Sequence, residues 1–256
     1  MKIALFVKEE LQETDIATYI ISKISEHNFD IDQENPDFVL FVGGDGTFLR
    51  AVNEYIEQVD SIKFVGINEG SLGFYTDYVI DELDLLLDSL EYGEYNVKHS
   101  RLLATNIAGQ DILAVNEIRI ENPFHTLICK VSINDVYLET FRGNGLCVCS
   151  SNGSTAYNKS LGGSVVAMDG NTMQLTEIAS INNRVYQSLN SSLVVDENSY
   201  ITLEGDFKEA VFGYDHLTTR GDTNMISISL SNHQVSFIYK KDRTFIDKVR
   251  ESLIKQ

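Results

Sequence analysis

The run Gly43-Gly44-Asp45-Gly46-Thr47 holds the residue types that phosphate chemistry needs. Its three glycines let the backbone turn tightly and come close to a ligand. It sits between a short apolar run, Asp37 to Val42, and a stretch with helical spacing, so it predicts a strand-to-helix turn. A helix start offers unpaired N–H groups and the positive end of a dipole to an anion. Asp45 is the one carboxylate there; it could coordinate Mg²⁺ or accept a proton from a hydroxyl nucleophile. The plainer use of the same residues is a tight turn with Asp45 as helix cap. The loop is neither a Walker-type phosphate loop nor a Gly-x-Gly-x-x-Gly dinucleotide fingerprint, and both patterns are absent.

A second run, Gly153-Ser154-Thr155-Ala156-Tyr157-Asn158-Lys159-Ser160, followed by Leu161-Gly162-Gly163, packs hydroxyls, an aromatic ring and glycines together. Such a loop suits stacking on, or hydrogen bonding to, a nucleoside; taken alone it reads first as a polar connection. A third feature is Asn116-Glu117, two polar residues that interrupt an alternating strand. By themselves they read as an exposed strand pair.

Charge sets the first limit on partners. The chain of 256 residues has 20 basic and 38 acidic side chains, a net charge of −18. That surface argues against binding DNA, RNA or anionic lipid through a basic field. Phosphates must instead be held locally, by backbone N–H groups and a metal ion. No stretch approaches the ~20 apolar residues of a membrane span. The first strand runs straight into Glu9 and Glu10, which does not fit a signal peptide, so the protein reads as cytoplasmic. Three cysteines, Cys129, Cys147 and Cys149, are an odd count for a disulfide framework. Cys147 and Cys149 fall on one face of an apolar strand, with no nearby His or Cys to complete a zinc set.

The elements that must position these residues change character along the chain. Up to about residue 95, strands alternate with helices. Strands are expected at Ile3–Val7, Asp37–Val42 and Lys63–Ile67. Helices are expected over Gln12–His27, Phe48–Val59 and, capped by Asp81, to about Tyr92. This βαβαβα order predicts a parallel sheet with helices on its faces. From about residue 97 short strands follow one another: Leu102–Ile107, Ile112–Ile120, Leu127–Val131, Val136–Phe141 and Leu146–Cys149. Ser192–Val195, Tyr200–Leu203, Ala210–Phe212, Met225–Leu230 and Val235–Tyr239 complete them. Many alternate polar and apolar residues, as antiparallel strands with one wet face do. Thr244–Ile254 returns to helical spacing. The expected domains are residues 1–96, α/β; 97–236, β-rich; and 237–256, a segment packing back on the first.

Taken in this order, the motifs resemble the NAD kinase family over nearly the whole chain. The elements are the glycine loop, Asn68 to Phe74, Asn116-Glu117, Phe141-Arg142-Gly143-Asn144-Gly145, Gly153 to Tyr157 and Leu175-Thr176-Glu177-Ile178. Lipid kinases and phosphofructokinases share the first of these. The resemblance implies a Rossmann-like α/β domain followed by a mostly antiparallel β-sandwich domain, with the C-terminal helix returning to the first. It implies phosphorylation of the adenosine ribose 2′-hydroxyl of NAD, with ATP or polyphosphate as donor and Mg²⁺ or Mn²⁺ as cofactor. Asp45 would accept the hydroxyl proton or order that hydroxyl and the metal. Gly46 would line the diphosphate, and Phe74 belongs to the neighbouring motif. Asn116 and Glu117 would hold the ribose hydroxyls. Thr155, Ala156 and Tyr157 would flank the adenosine, with Asn158, Lys159 and Ser160 completing the wall. Ala179 would sit near the second nucleoside, and Tyr214-Asp215-His216 resembles a family element that would place His216 near the substrate phosphate. Arg142 and Asn144 match a loop that serves a site across a subunit boundary, which implies a homo-oligomer, dimer or tetramer.

The chain departs from the family pattern at a few places. Asn144 stands where Asp is usual, and Ser151-Asn152 where Pro precedes Ser or Thr. Glu69 and Ser71 stand where Thr and a basic residue are common. Asn152 keeps a place in the expected nucleotide site. These departures motivate an alternative function, a non-catalytic NAD(P)-binding regulatory paralogue. A lipid kinase is a third reading, against which the chain lacks a basic amphipathic segment for membrane docking.

Overall fold

The computed structural model describes residues 1–11, 14–68, 73–167, 170–240 and 243–254. The expectations for Glu69 and Ser71 lie outside the described residues. The chain divides into two compact units, Met1–His99 with Gln234–Gln256, and Ser100–His233.

The first unit is built on a parallel sheet. Strands β1 (Lys2–Val7), β2 (Asp30–Ile31), β3 (Phe38–Val42), β4 (Lys63–Asn68) and β5 (Thr76–Val79) are joined in the order β2-β1-β3-β4-β5. All five residues of β3 are buried, as expected of a strand covered on both faces. Helices α1 (Asp15–Glu26), α2 (Asp45–Glu54) and α3 (Leu83–Tyr92) supply apolar stripes: Ala17, Ile20 and Ile24 from α1, and Leu83, Leu86, Leu87 and Leu90 from α3. Phe48 of α2 is fully buried and stacks on Tyr75 at 4.1 Å, with Phe41, Phe64 and Phe237 around it.

Four local expectations for this unit change. Helix α2 starts at Asp45, three residues before the periodic apolar positions begin, because the glycines and Thr47 already take up the turn. Asp81 is not a helix cap: it lies within a short 3₁₀ turn, and Glu82 accepts the Val79 N–H at 3.1 Å instead. Strands β2 and β5 are too short and polar to announce themselves. The terminal helix is α-helical only as α5 (Phe245–Val249), then loosens into a π-type turn over Arg250–Ile254.

The second unit is antiparallel. Strands β8 (Glu117–Glu121), β11 (Gly145–Ser150), β12 (Met173–Ile178), β13 (Leu193–Val195), β15 (Val211–Tyr214) and β16 (Leu217–Thr219) form a sheet ordered β13-β12-β11-β8-β15-β16. Facing residues come from β9 (Leu127–Ile133), β10 (Val136–Gly143) and β14 (Tyr200–Gly205). They also come from the first part of β17, which runs unbroken from Met225 to Tyr239. Leu146, Val148 and Leu175 from the first set pack with Val131, Ile201 and Ile228 from the second, the inner faces of a β-sandwich. β6 (Asn96–Ile107) and β7 (Gln110–Ala114) pair as a hairpin from Leu103 onward.

Here too the strand list is corrected. Ile112–Ile120 is two strands, β7 and β8, since the Val115 and Asn116 amides turn to a side chain rather than to a neighbouring strand. Met225–Tyr239 is one strand where two were expected; the polar residues 231–234 contain no glycine or proline to break it. Leu175-Thr176-Glu177-Ile178 lies within β12, and β16 was not anticipated. The three cysteines are buried and free, and burial pushes the Cys129 and Cys149 thiols up to about 12. No helix among the described residues is long and apolar enough to cross a membrane.

Replacing Phe48 by Ala should remove the ring on which α2 is seated. The expected cost is about 3–5 kcal/mol, read as a lower urea midpoint with an unchanged slope.

Candidate active site

The glycine loop closes on Asp45 from both sides. Gly43 has φ of +145°, and a Cβ there would lie 2.3 Å from the Thr47 hydroxyl, so the turn needs glycine at that point. Gly44 caps α2 through its carbonyl, which accepts from the Thr47 and Phe48 amides at 2.9 and 3.2 Å. Asp45 opens the helix and Gly46 follows it, exposed. The Asp45 carboxylate accepts two successive backbone amides, Phe74 N–H on Oδ2 and Tyr75 N–H on Oδ1, each at 3.1 Å. A Cβ on Gly73 would lie 2.2 Å from Oδ1, so that glycine is what lets the carboxylate lie flat against the 73–75 backbone. The Phe74 ring is buried beside Phe245, leaving its backbone as the part that meets Asp45.

The 73–78 segment is in turn fixed by its own unit. Thr76 Oγ1 accepts from the Gly73 amide at 3.0 Å and from Asn68 Nδ2 at 2.9 Å. Lys248, 5% exposed, donates to the Phe74 carbonyl and pairs with Asp77, both at 2.9 Å. Arg243 also reaches Asp77, at 2.9 Å, and Glu251 at 2.5 Å. Burial raises the Asp45 carboxyl above its ordinary range; the two amides and the Lys248 ammonium pull the other way.

In the second unit Asn116 and Glu117 stand at the break between β7 and β8. Asp215, in the β15–β16 turn, accepts the Val115 amide at 2.8 Å and the Asn116 amide at 2.7 Å, and its own N–H donates to the Glu117 carbonyl at 3.1 Å. Glu117 is 4% exposed; Arg119 donates to Oε1 at 3.3 Å, and Oε2 finds no partner among the described residues. Burial, then the neighbouring Asp215 charge, pushes Glu117 up to about 8. Arg119 also bonds Glu121 at 3.1 Å and lies 5.1 Å over the Tyr157 ring, whose hydroxyl donates to Glu121 at 3.0 Å.

The Gly153 run docks directly on this break. The Asn116 carbonyl accepts the Ser150 amide at 2.9 Å, and a Cβ on Gly153 would lie 2.1 Å from that same carbonyl. The turn over Asn152–Thr155 and the short α4 (Tyr157–Ser160) therefore bring Thr155, Ala156 and Tyr157 beside Asn116-Glu117. Asn152 and Asn158 point inward: Asn152 donates to Ser100 at 2.7 Å, and Asn158 accepts from Thr176 at 2.7 Å. Lys159 and Ser160 are exposed. His216 is exposed in the turn just after Asp215.

Arg142, Asn144 and Ala179 gather at another edge of the same unit. The Asn144 amide donates to Ile178 at 3.0 Å, and its side chain donates to the Asn122 carbonyl at 3.1 Å. Ala179 has φ of +48°, a region alanine rarely visits, and is exposed. Arg142 lies 4.4 Å over the Tyr186 ring.

Comparison with known proteins identifies the family. The profile described as "ATP-NAD kinase N-terminal domain" matches residues 6–95, and "ATP-NAD kinase C-terminal domain" matches 115–239. An NAD kinase of Leuconostoc mesenteroides is 36% identical over 262 residues, spanning 100% of this chain and 99% of the relative. The chain belongs to the NAD kinase family. NAD kinase 1 of Listeria innocua is likewise 36% identical, with 99% of each chain covered. In fold, an NAD kinase from Archaeoglobus fulgidus solved with ATP superposes with a TM-score of 0.83, at 23% identity over 98% of this chain and 99% of that one. Yeast NADH kinase solved with NADH gives 0.86, at 16% identity over 100% and 89%.

As a member of this kinase family the chain is a phosphotransferase. Sequence reasoning quoted Gly73 within one motif and Asp215 beside His216 in another but gave neither a task, and it missed Lys248 and Arg119. Nothing local marks Lys248 or Asp215, which act 174 and 99 positions away along the chain. Gly73→Ala should leave a folded protein whose Asp45 is displaced. Kinase turnover should drop on the order of a hundredfold, since a misplacement of about 1 Å costs that much, while thermal stability changes little.

Proposed function

We propose that the chain transfers the terminal phosphoryl group of ATP, or of polyphosphate, to the adenosine ribose 2′-hydroxyl of NAD, giving NADP. The observation that carries this is Asp45, one enclosed carboxylate at a helix start, held by two backbone amides with lone pairs to spare. The 2′-oxygen attacks the terminal phosphorus, the bridging oxygen leaves with ADP or with the shortened polyphosphate, and the hydroxyl proton passes to Asp45. The attacking group is a hydroxyl, so the protein's share is positioning, charge neutralisation and proton acceptance. Gly46 and the first amides of α2 face the donor phosphates.

Asn116 and Glu117 hold the ribose hydroxyls, and Thr155, Ala156 and Tyr157 flank the adenosine. Asn152 and Asn158 brace that wall from beneath, and Lys159 and Ser160 close its outer edge. His216 approaches a substrate phosphate. Ala179 lies near the second nucleoside, while Arg142 and Asn144 complete a neighbouring subunit's site, so the kinase works as a homo-oligomer in the cytoplasm. The exposed Val185, Tyr186 and Ile181 near that edge support a partner surface.

The donor set fits a divalent cation only in company with phosphates. Among the described residues, the possible ligands that come together in a group of three are His27, Asp88 and Glu91, none of them in the glycine loop. Asp77 is already neutralised by Arg243 and Lys248. Mg²⁺ commonly binds through one or two carboxylates plus substrate phosphates, and Asp45 keeps a lone pair on each oxygen for that purpose. When bound, the cation neutralises the charge on the transferring phosphate.

The test is NADP formation by purified protein with Mg²⁺ and either ATP or polyphosphate, beside Asp45→Asn. Wild-type protein should turn over, and the variant should lose ~100-fold or more in kcat. Undiminished turnover in Asp45→Asn sinks the role of Asp45. NADP binding with no transfer from either donor points to the non-catalytic paralogue.

The pH profile provides a separate check. Asp45 accepts a proton only when ionised, so kcat/KM falls as pH drops through its pKa. Burial places that acid limb above the ordinary carboxylate value of about 4. Lys248→Gln removes a cation that lowers the pKa, so the limb should move to higher pH; a shift to lower pH contradicts the assignment.

A further inference from the structure

Asp215 ties down the break between β7 and β8 with both its side chain and its backbone. Its two carboxylate oxygens accept the amides of Val115 and Asn116, at 2.8 and 2.7 Å. Its backbone N–H donates to the Glu117 carbonyl at 3.1 Å, and its carbonyl accepts from Arg119 at 3.4 Å. To do this Asp215 adopts φ of +47°, a left-handed conformation that Asp tolerates better than most residues. Gly213, two residues before it, has no side chain where the Arg119 guanidinium crosses; a Cβ there would lie 2.7 Å from Cζ. The turn is thus built to bring one carboxylate under three consecutive residues, the two of them with polar side chains being Asn116 and Glu117.

We propose that Asp215 is a positioning residue for nucleotide binding, fixing the backbone of Asn116 and Glu117 and, by its own charge, keeping Glu117 in its neutral acid form. This rests on the reading of Asn116 and Glu117 as ribose-holding residues. The charge argument is a simple count: one guanidinium, Arg119, serves the carboxyl groups of Glu117, Glu121 and Asp215. From the other elements packed there, Cys147 and Cys149 face Glu117 from β11, and Tyr157, on α4, shares Arg119 and Glu121. His216 follows Asp215 in the same turn. Three carboxylates beside one enclosed cation cannot all ionise cheaply, and Glu117, with one oxygen unpartnered, is the one that keeps its proton. Asp215, held by backbone amides and next to Arg119, is the better-stabilised anion, with a value of about 6 against about 8 for Glu117.

A neutral carboxylic acid donates one hydrogen bond and accepts others, where a carboxylate only accepts. Glu117 in that form can donate a hydrogen bond to a ribose or ring acceptor on the nucleotide and accept one from a hydroxyl at the same time.

The experiment uses the full-length protein without ligand, so that its result does not depend on turnover. The Val115 and Asn116 amide proton shifts should titrate together near pH 6, following Asp215, and the Glu117 side-chain carboxyl carbon should titrate near pH 8. In Asp215→Asn the Glu117 titration should move to lower pH, and direct binding of NADP should weaken about tenfold or more, as expected when a charge-assisted bond to a buried amide is lost. Asp215→Glu should recover part of that affinity. Amide shifts that stay flat from pH 4 to 8 in the wild-type protein overturn the proposal, whether or not the variant folds. An unmoved Glu117 titration in a folded variant overturns its electrostatic half. Intact amide and Glu117 titrations in a protein that never binds NADP would leave the clamp standing and remove the nucleotide reading instead.

Discussion

A carboxylate closed against two successive backbone amides is the interaction around which the glycine loop of this kinase is built. Asp45 would be a poor base on a flexible surface loop and an unstable charge in a dry interior. The Phe74 and Tyr75 amides resolve the conflict: they hold its position while burial keeps its affinity for a proton raised. Each neighbouring feature serves that contact. Gly73 makes room for it, Thr76 and Asn68 hold the segment that carries the amides, and Lys248 grips the Phe74 carbonyl from the C-terminal end of the chain. The C-terminal segment is therefore part of what holds the 73–77 backbone rather than a trailing helix.

The second unit repeats the device. Asp215 sits against the Val115 and Asn116 amides as Asp45 sits against Phe74 and Tyr75, and a glycine again makes the close approach possible, Gly153 against the Asn116 carbonyl. A chain with net charge −18 has little positive field to spend on phosphates. It answers with backbone dipoles aimed at single sites, and with a few cations, the buried Lys248 and the part-buried Arg243 and Arg119, each placed against carboxylates. Backbone amides bring no net charge and lose no side-chain entropy when they are held, which suits them to fix an anion or an acid in place.

Much of the fold was legible because apolar periodicity reports which face of an element is covered. The all-apolar β3, the amphipathic α1 and the alternation in the second half are properties of neighbouring residues, and they identified an α/β unit and an antiparallel one. The elements that escaped are those whose pairing outweighs their composition. β5 and β16 are short and partly polar, and the Val115–Asn116 break looks like continuous strand until Asp215 takes its amides.

The sequence by itself determined the family and the motifs in their order, because glycines with positive φ or close contacts, and polar residues inside apolar runs, are local and hard to substitute. It named Asp45, Asn116, Glu117 and the Gly153 run. Only the tertiary structure decided which backbone Asp45 rests on, that Asn152 and Asn158 face inward, that Lys248 holds the Phe74 carbonyl, and that Arg119 and Asp215 surround Glu117. Those contacts join residues distant along the chain, and hydrogen bonds and enclosed charges are fixed by where folding brings two groups together, which no local spacing records.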